Sequence, residues 1–236
     1  MTKQKNTPSH VAVIMDGNGR WASEQYLPRI LGHKAGIEPA RICIKEAVKH
    51  GISHLSLFMF STENWNRPSE EVSAIFNLLT DTLNNEIKEL HQQQVRVRFI
   101  GDTALLPDGL KVAIAKSEEL TKENVKLNLY LGLSYGGRWD IVNVTKKLLS
   151  SKAVELDQLT ELMLDEAFKE NSIPDIDLLN RTGRQKRISN FALWQMAYAE
   201  ILFLDQLWPD FDEKNFGAAL DYFKNIDRRF GKIKNV

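Results

Sequence analysis

Six short apolar runs, none longer than nine residues, recur along the chain with amphipathic stretches between them. They lie at 10–15 (HVAVIM), 54–60 (HLSLFMF), 95–100 (VRVRFI), 125–133 (VKLNLYLGL), 176–179 (IDLL) and 201–204 (ILFL). Near-continuous apolar runs of this length are what strands buried on both faces look like. The intervening segments carry helical spacing. Val72, Ile75, Phe76, Leu79, Leu83, Ile87 and Leu90 follow Pro68 and a candidate cap at Ser69, which predicts a helix over 69–90. Ile37, Ala40, Ile44 and Val48 mark another, in which Pro39 predicts a late start or a bend. Strands alternating with such helices give right-handed crossovers. The expected fold is therefore α/β: a mostly parallel central sheet of about six strands, with helices on both faces.

Ligands of open α/β sheets bind beyond the carboxyl ends of the strands, so the residues following each run are the ones to read. After the first comes Asp16-Gly-Asn-Gly-Arg20, after the second STENWNRPSEE, after the fourth SYGGRWD, and after the fifth NRTGRQKRIS. Arg20, Arg67, Arg138 and Arg181 are thereby expected at one rim, with Arg29, His33 and Arg187 behind them and Asp16 as the lone carboxylate. Such a rim suits a polyanion. Guanidiniums bind phosphate with paired donors, and Ser189 is a candidate cap for a helix containing NFALWQMAYAE.

GNGRWA after a strand also fits the glycine fingerprint of dinucleotide folds. Asp16 opposes that reading, because a carboxylate beside the first glycine repels a pyrophosphate resting on bare amides. An aspartyl nucleophile in a D-x-D pair is opposed by Asn18, which occupies the second acidic position. Asp16 could simply cap the next turn. It becomes functional if Mg²⁺ lies between it and a diphosphate, since that ion is held by one or two carboxylates plus substrate phosphates. Trp65 is either a loop residue at the substrate or a packed core residue. His33 serves a core or a phosphate site equally well.

Composition narrows the partners. The 236 residues hold 31 Lys plus Arg against 31 Asp plus Glu, so no long-range field draws the chain to nucleic acid. Its single cysteine, Cys43, rules out an internal disulfide and sits among apolar residues as a packed thiol would. The N-terminal MTKQKNTPSH lacks a signal-peptide core, no run approaches the roughly 18 apolar residues of a membrane span, and no linker divides the chain apart from a polar stretch around 150–175. The expectation is one domain over 1–236 in a reducing, cytoplasmic setting.

At these residues the chain resembles the cis-prenyltransferases, and among them the bacterial undecaprenyl diphosphate synthases. The likeness runs from about His10 to Gly231 through MDGNGRWA, GHKAG, FSTENWNRP, GDT, YGGRWDI, RTG followed by RISNF, LWQMAYAE, LWPDF and RRFG. The resemblance implies a Mg²⁺-dependent homodimeric transferase that adds isopentenyl diphosphate to farnesyl diphosphate with cis geometry. Its product would be an undecaprenyl carrier for cell-wall polysaccharide, handed to the membrane. It allows peripheral contact at the inner membrane. By the same resemblance Asp16 is a metal-binding catalytic residue and Asn64 a second catalytic one. Gly17, Asn18, Gly19, Arg20, Trp21, Arg29 and His33 cradle the allylic diphosphate, with Ser61, Thr62, Glu63, Trp65 and Arg67 around Asn64. Arg181, Arg187, Ile188 and Ser189 hold isopentenyl diphosphate, and Glu200 is a second metal carboxylate.

Several positions depart from the family pattern. Arg184 and Gln185 stand where Gly or Ser and then Glu are usual, Lys186 replaces a histidine, Asn180 an apolar strand residue, and Ser134 an asparagine. Together the changes near RTG add positive charge and remove a carboxylate. A catalytically silent polyprenyl-binding subunit on the same fold is the alternative reading. A tunnel lined by some of Val125, Leu127, Leu129, Leu131, Leu133, Phe76, Leu79 and Leu83 would hold the growing product.

Overall fold

The computed structural model describes residues 7–150 and 156–228. The last residues of RRFG and part of the polar stretch after 150 lie outside them. The strands are β1 (His10–Ile14), β2 (His54–Ser61), β3 (Val95–Ile100), β4 (Leu127–Tyr135), β5 (Leu178–Arg181) and β6 (Glu200–Phe203). They form one all-parallel sheet in the order β3-β4-β2-β1-β5-β6. Each expected strand is present, displaced by a residue or two. Val125 falls before β4 and is exposed, so it faces no core.

The helices are α1 (Asn18–Glu24), α2 (Arg29–Ala35), α3 (Ile37–Lys49), α4 (Ser69–Gln92), α5 (Asp108–Thr121), α6 (Gly137–Ser150), α7 (Glu161–Asn171) and α8 (Glu213–Lys224). One face of the sheet packs Val13, Leu57, Leu129 and Leu131 against α3, α4, α5 and α8. The other packs Ala12, Ile14, Phe58 and Tyr130 against residues 173–199. Burial on both faces explains why the strands read as apolar runs rather than alternating ones.

Three local expectations are corrected. Ser69 is the first helical residue, preceded by Pro68, and its side chain makes no cap. Pro39 sits in the first turn of α3, where its missing N–H costs nothing, so the helix is neither delayed nor broken. No helix follows Ser189. The backbone turns left-handed at Ser189 (φ 48), Asn190 (φ 59) and Ala192 (φ 42), and a continuous right-handed helix cannot pass through such residues. Instead Phe191, Gln195 and Met196 are buried, and Gln195 Nε2 donates to Asp140 Oδ2 at 3.1 Å.

Chain order along the sheet fixes where a ligand can sit. From β1 the chain builds β2, β3 and β4 on one side, then crosses to build β5 and β6 on the other. The topological switch point is therefore between β1 and β5, and a crevice opens beyond their carboxyl ends. Ile14 is in register with Arg181, so the loop after β1 begins beside the last residue of β5.

Asn180 stands out on β5 between Val13 and Leu202. It is fully buried, and neither its amide nitrogen nor its amide oxygen finds a partner. An unmet buried polar group costs about 1–3 kcal/mol. Asn180→Leu is expected to raise unfolding free energy by about 1–3 kcal/mol in denaturant titration; an unchanged or lower value would mean the amide is satisfied.

Candidate active site

Asp16 lies just past β1, where Gly17 begins the turn into α1. Gly17 has φ 123, and a Cβ there would come within 2.9 Å of the Leu207 and Trp208 backbone, so only glycine fits. Asp16 does not cap α1. Its backbone is clamped by Thr182: the Asp16 N–H donates to Thr182 Oγ1 at 3.0 Å, and that hydroxyl donates to Asp16 O at 2.7 Å. The carboxylate faces the crevice with both oxygens engaged. Arg20 Nη2 reaches Oδ1 and Arg181 Nη2 reaches Oδ2, each at 2.8 Å.

Arg181 is 3% exposed and joins the two sides of the switch point. Its other amino group donates to Ser189 Oγ at 2.7 Å and to the Arg187 carbonyl. Arg20 also donates to the Gly183 carbonyl. A side chain at Gly183 would meet Arg20 at 2.5 Å, so this glycine lets the β5 loop approach α1.

These groups surround a cavity of about 340 Å³. Asp16, Gly17, Asn18, Gly19, Arg20, Arg29, His33, Ser61, Asn64, Arg67, Arg181, Arg187 and Ser189 all line it. Five guanidiniums thus face one carboxylate, a positive pocket in a chain with no net charge. Asn64 Oδ1 accepts from the Ser61 N–H at 3.0 Å, which fixes the short 3₁₀ turn Thr62–Asn66 at the end of β2.

Other expected residues lie elsewhere. Trp21 donates from its ring to Asp210 at 2.7 Å, and Arg138 is exposed, its backbone N–H donating to Asn190 Oδ1 at 3.0 Å; neither lines the cavity. Thr62 and Glu63 occupy the 3₁₀ turn, where Glu63 accepts from Asn190 at 2.9 Å. Trp65 is half-buried, packs on Phe60 and Phe76 and donates to Ser134 Oγ at 2.9 Å, and it does not line the cavity. Ile188 is partly buried against the core on the Ala12, Ile14 and Phe58 face of the sheet. Glu200 also lies outside the cavity lining. It opens β6 in register with Leu178, three residues toward the amino edge from Arg181, or about 10 Å at strand rise. The departures near RTG are also occupied: Arg184 pairs with Glu24 at 3.1 Å, and Gln185 accepts from Arg187 at 2.6 Å.

Glu71, absent from the expected set, is the carboxylate behind the arginines. It reaches Arg29 at 3.2 Å, Arg67 at 3.4 Å and His33 Nε2 at 3.5 Å while only 14% exposed. Burial pushes its carboxyl up, but the hydrogen bonds and charge of Arg29, with Arg67, outweigh that and hold it below the ordinary range. Burial, helped by the Arg67 charge, pushes the His33 imidazole down against the pull of Glu71. His33 is therefore neutral at pH 7 and able to donate one hydrogen bond.

A second cavity of about 430 Å³ adjoins the first, sharing Met15, Asn18, His33 and Met59 with it. It runs between α3, α4 and the sheet past Ile44, Leu57, Ile75, Leu79, Leu83, Leu129 and Leu131. Leu127, Leu133 and Phe76 are packed core instead. Burial pushes the Cys43 thiol up, so it is an inert packed group.

A cationic crevice at the switch point, with an apolar cavity beside it, defines an α/β protein suited to a ligand with a polyanionic head and an apolar tail. The chain belongs to the family described as putative undecaprenyl diphosphate synthase, whose model matches residues 14–231. It is 48% identical over 225 residues to the Escherichia coli (strain K12) ditrans,polycis-undecaprenyl-diphosphate synthase ((2E,6E)-farnesyl-diphosphate specific), covering 94% of this chain and 89% of that protein. Among solved structures it is similar to lavandulyl diphosphate synthase from Lavandula x intermedia in complex with dimethylallyl diphosphate, with TM-score 0.92, 33% identity and coverage of 97% and 100%. A probable undecaprenyl diphosphate synthase from Campylobacter jejuni matches with TM-score 0.82, 36% identity and coverage of 95% and 99%.

Proposed function

We propose that this protein condenses isopentenyl diphosphate with farnesyl diphosphate in successive cis additions, making an undecaprenyl-length diphosphate that serves as lipid carrier for cell-wall polysaccharide. It would act as a single-domain homodimer in the cytoplasm, with peripheral contact at the inner membrane for product delivery. No helix among the described residues is long and apolar enough to cross a membrane. The observation that supports this reading is that the cavity holding five guanidiniums shares Met15, Asn18, His33 and Met59 with the apolar cavity beside it.

In this reading Arg20, Arg29 and Arg67, with the amides around Gly17 and Gly19, hold the allylic diphosphate, and His33 donates to it. Arg181, Arg187 and Ser189 hold the diphosphate of isopentenyl diphosphate. The allylic carbon–oxygen bond breaks as the double bond of the second substrate attacks that carbon. Negative charge grows on the departing diphosphate, where the fixed guanidiniums stabilise it. Loss of a proton from the new carbocation completes each addition. Asn64, fixed by its bond to Ser61, orients the substrates at the end of β2.

The donor set fits Mg²⁺. Asp16 offers one cavity-facing carboxylate, and such an ion takes one or two carboxylates plus substrate phosphates. When bound it supplies Lewis-acid neutralisation of the leaving diphosphate. Arg20 and Arg181, which now occupy the carboxylate, have the diphosphates as alternative acceptors.

Each five-carbon unit entering the apolar cavity gains about 4 kcal/mol at roughly 0.8 per buried methylene, which keeps the chain bound between additions. The test is incubation with farnesyl diphosphate, radiolabelled isopentenyl diphosphate and Mg²⁺, with and without chelator, and separation of products by length. Chelator-sensitive elongation to a long polyprenyl diphosphate is expected. Its absence would leave the silent binding subunit as the better reading.

A further inference from the structure

Three segments meet beside the crevice: residues 61–66 at the end of β2, 134–138 at the end of β4 and 188–193 after β5. One residue of the last segment binds both of the others. The Asn190 carbonyl accepts from the Gly137 N–H and its Oδ1 accepts from the Arg138 N–H at 3.0 Å, which satisfies two amides at the start of α6. Its Nδ2 donates to Glu63 Oε1 at 2.9 Å. Gly136 leaves room for this crossing, since a Cβ there would lie 2.8 Å from Asn190 Nδ2 and 2.7 Å from Thr62 Oγ1. Asn190 sits at φ 59, a conformation that Asn adopts more readily than most L-residues.

Each end of the Asn190–Glu63 bond adjoins a residue of the crevice. Ser189, one residue before Asn190, lines it and accepts from Arg181, which in turn holds Asp16. Asn64, one residue after Glu63, lines it from the end of β2. Glu63 is an acceptor at neutral pH: burial pushes its carboxyl up, but hydrogen bonds from Asn190, its own backbone amide, Ser61 and Thr62 outweigh that and hold it below the ordinary range.

We propose that Asn190 is a positioning residue for the condensation, a strut that through Glu63 fixes the Ser189 side of the crevice against the Asn64 side. It does not line the cavity itself and acts through these neighbours. The inference rests on the reaction proposed above, in which two substrates held by different loops react only while those loops keep their spacing.

Capping α6 and bridging to Glu63 use different atoms of Asn190, so mutation separates them. Asn190→Asp keeps the size, the Oδ1 acceptor and the tolerance of a left-handed backbone, and a carboxylate suits a helix N-terminus. It loses the Nδ2 donor and sets two carboxylates face to face. A residue that only caps α6 would leave this variant with wild-type kinetics. The strut predicts a kcat for isopentenyl diphosphate addition lower by at least about tenfold, the scale of a small misplacement of reacting groups, with KM for farnesyl diphosphate within about twofold because α1 and α2 are untouched. Asn190→Asp/Glu63→Gln remakes the bond with donor and acceptor exchanged, and is expected to be at least about fivefold faster than Asn190→Asp, as coupled neighbours are. If Asn190→Asp melts below the assay temperature, Glu63→Ala breaks the same bond from an exposed position and is expected to show the same split of kcat from KM. Wild-type kinetics in Asn190→Asp, or in Glu63→Ala where it stands in, would overturn the inference, as would a double variant no faster than Asn190→Asp. Absence of elongation by the wild-type protein would overturn the proposed function and this inference with it, whereas wild-type elongation beside an unaffected variant overturns the inference alone.

Discussion

Asp16→Ala is expected to lower kcat for chain elongation by at least about a thousandfold while diphosphate affinity changes by less than about tenfold. A thousandfold is roughly 4 kcal/mol of lost transition-state stabilisation, in the range found when one preorganised electrostatic group is removed. The unequal effect follows from the geometry. Asp16 contributes no positive donor to the cavity; it occupies Arg20 and Arg181, each at 2.8 Å. Deleting it frees two guanidiniums to bind phosphate, so ground-state binding is preserved or improved, while the single carboxylate suited to a cation is lost. Arg181 then keeps its bonds to Ser189 and the Arg187 carbonyl. Single-turnover kinetics and calorimetry with an unreactive farnesyl thiodiphosphate separate the two quantities. Asp16→Asn serves as the folding control, since it retains an oxygen acceptor without the charge and is expected to be nearly as slow. Turnover within tenfold of wild type in both variants would remove Asp16 from the chemistry.

The strands were legible because a sheet buried on both faces writes itself as apolar runs, and the crevice followed from reading what comes after each run. Thirteen cavity-lining residues of the expected set, from Asp16 to Ser189, do converge. What sequence could not give was direction. Arg138 follows β4 as faithfully as Asp16 follows β1, yet β4 lies two strands from the switch point and its helix carries the side chain outward. Trp21 is one residue beyond Arg20, and a helical step of about 100° turns it to Asp210 instead. The position of Glu200 follows from the register between β5 and β6, set by pairing across 22 residues of chain, which no local pattern encodes. Glu71 was missed for a related reason: in sequence it is one of two glutamates in the first turn of α4, where acidic residues are ordinary. Only folding brings Arg29 and His33 of α2 against it.

Unfolding free energy is expected to fall by about 3 kcal/mol between pH 6.5 and pH 4 from His10 alone. This histidine opens β1 and is fully buried. Its Nδ1 lies 2.9 Å from the Pro174 carbonyl and 3.1 Å from the Asp175 carbonyl, which makes that nitrogen the donor. Nε2 then accepts from Ser56 Oγ at 2.7 Å. The neutral ring satisfies every partner, and a second proton would strand the Ser56 hydroxyl bond. Burial, with the neighbouring His54, lowers the pKa from 6.5 to about 4, against the pull of the two carbonyls and Asp177. Above pH 6.5 neither folded nor unfolded chain carries the proton, and the stabilisation is complete. Below it the unfolded chain takes up a proton that the folded chain refuses until about pH 4, so stability falls by up to about 1.4 kcal/mol per pH unit across that window. His33 and His54, pushed down by burial, Asp175, pushed up by it, and Glu71, which Arg29 holds down against burial, also bind protons differently in the folded and unfolded chain, so the wild-type slope is not His10's alone. His10→Asn isolates it. The amide can still face the carbonyls and Ser56 but cannot titrate, so the variant is less stable at pH 7 yet loses about one proton's worth of slope between pH 6 and 4.5. Denaturant titrations of both proteins at half-unit pH intervals measure the difference, and parallel curves would show that the His10 proton does not govern acid unfolding.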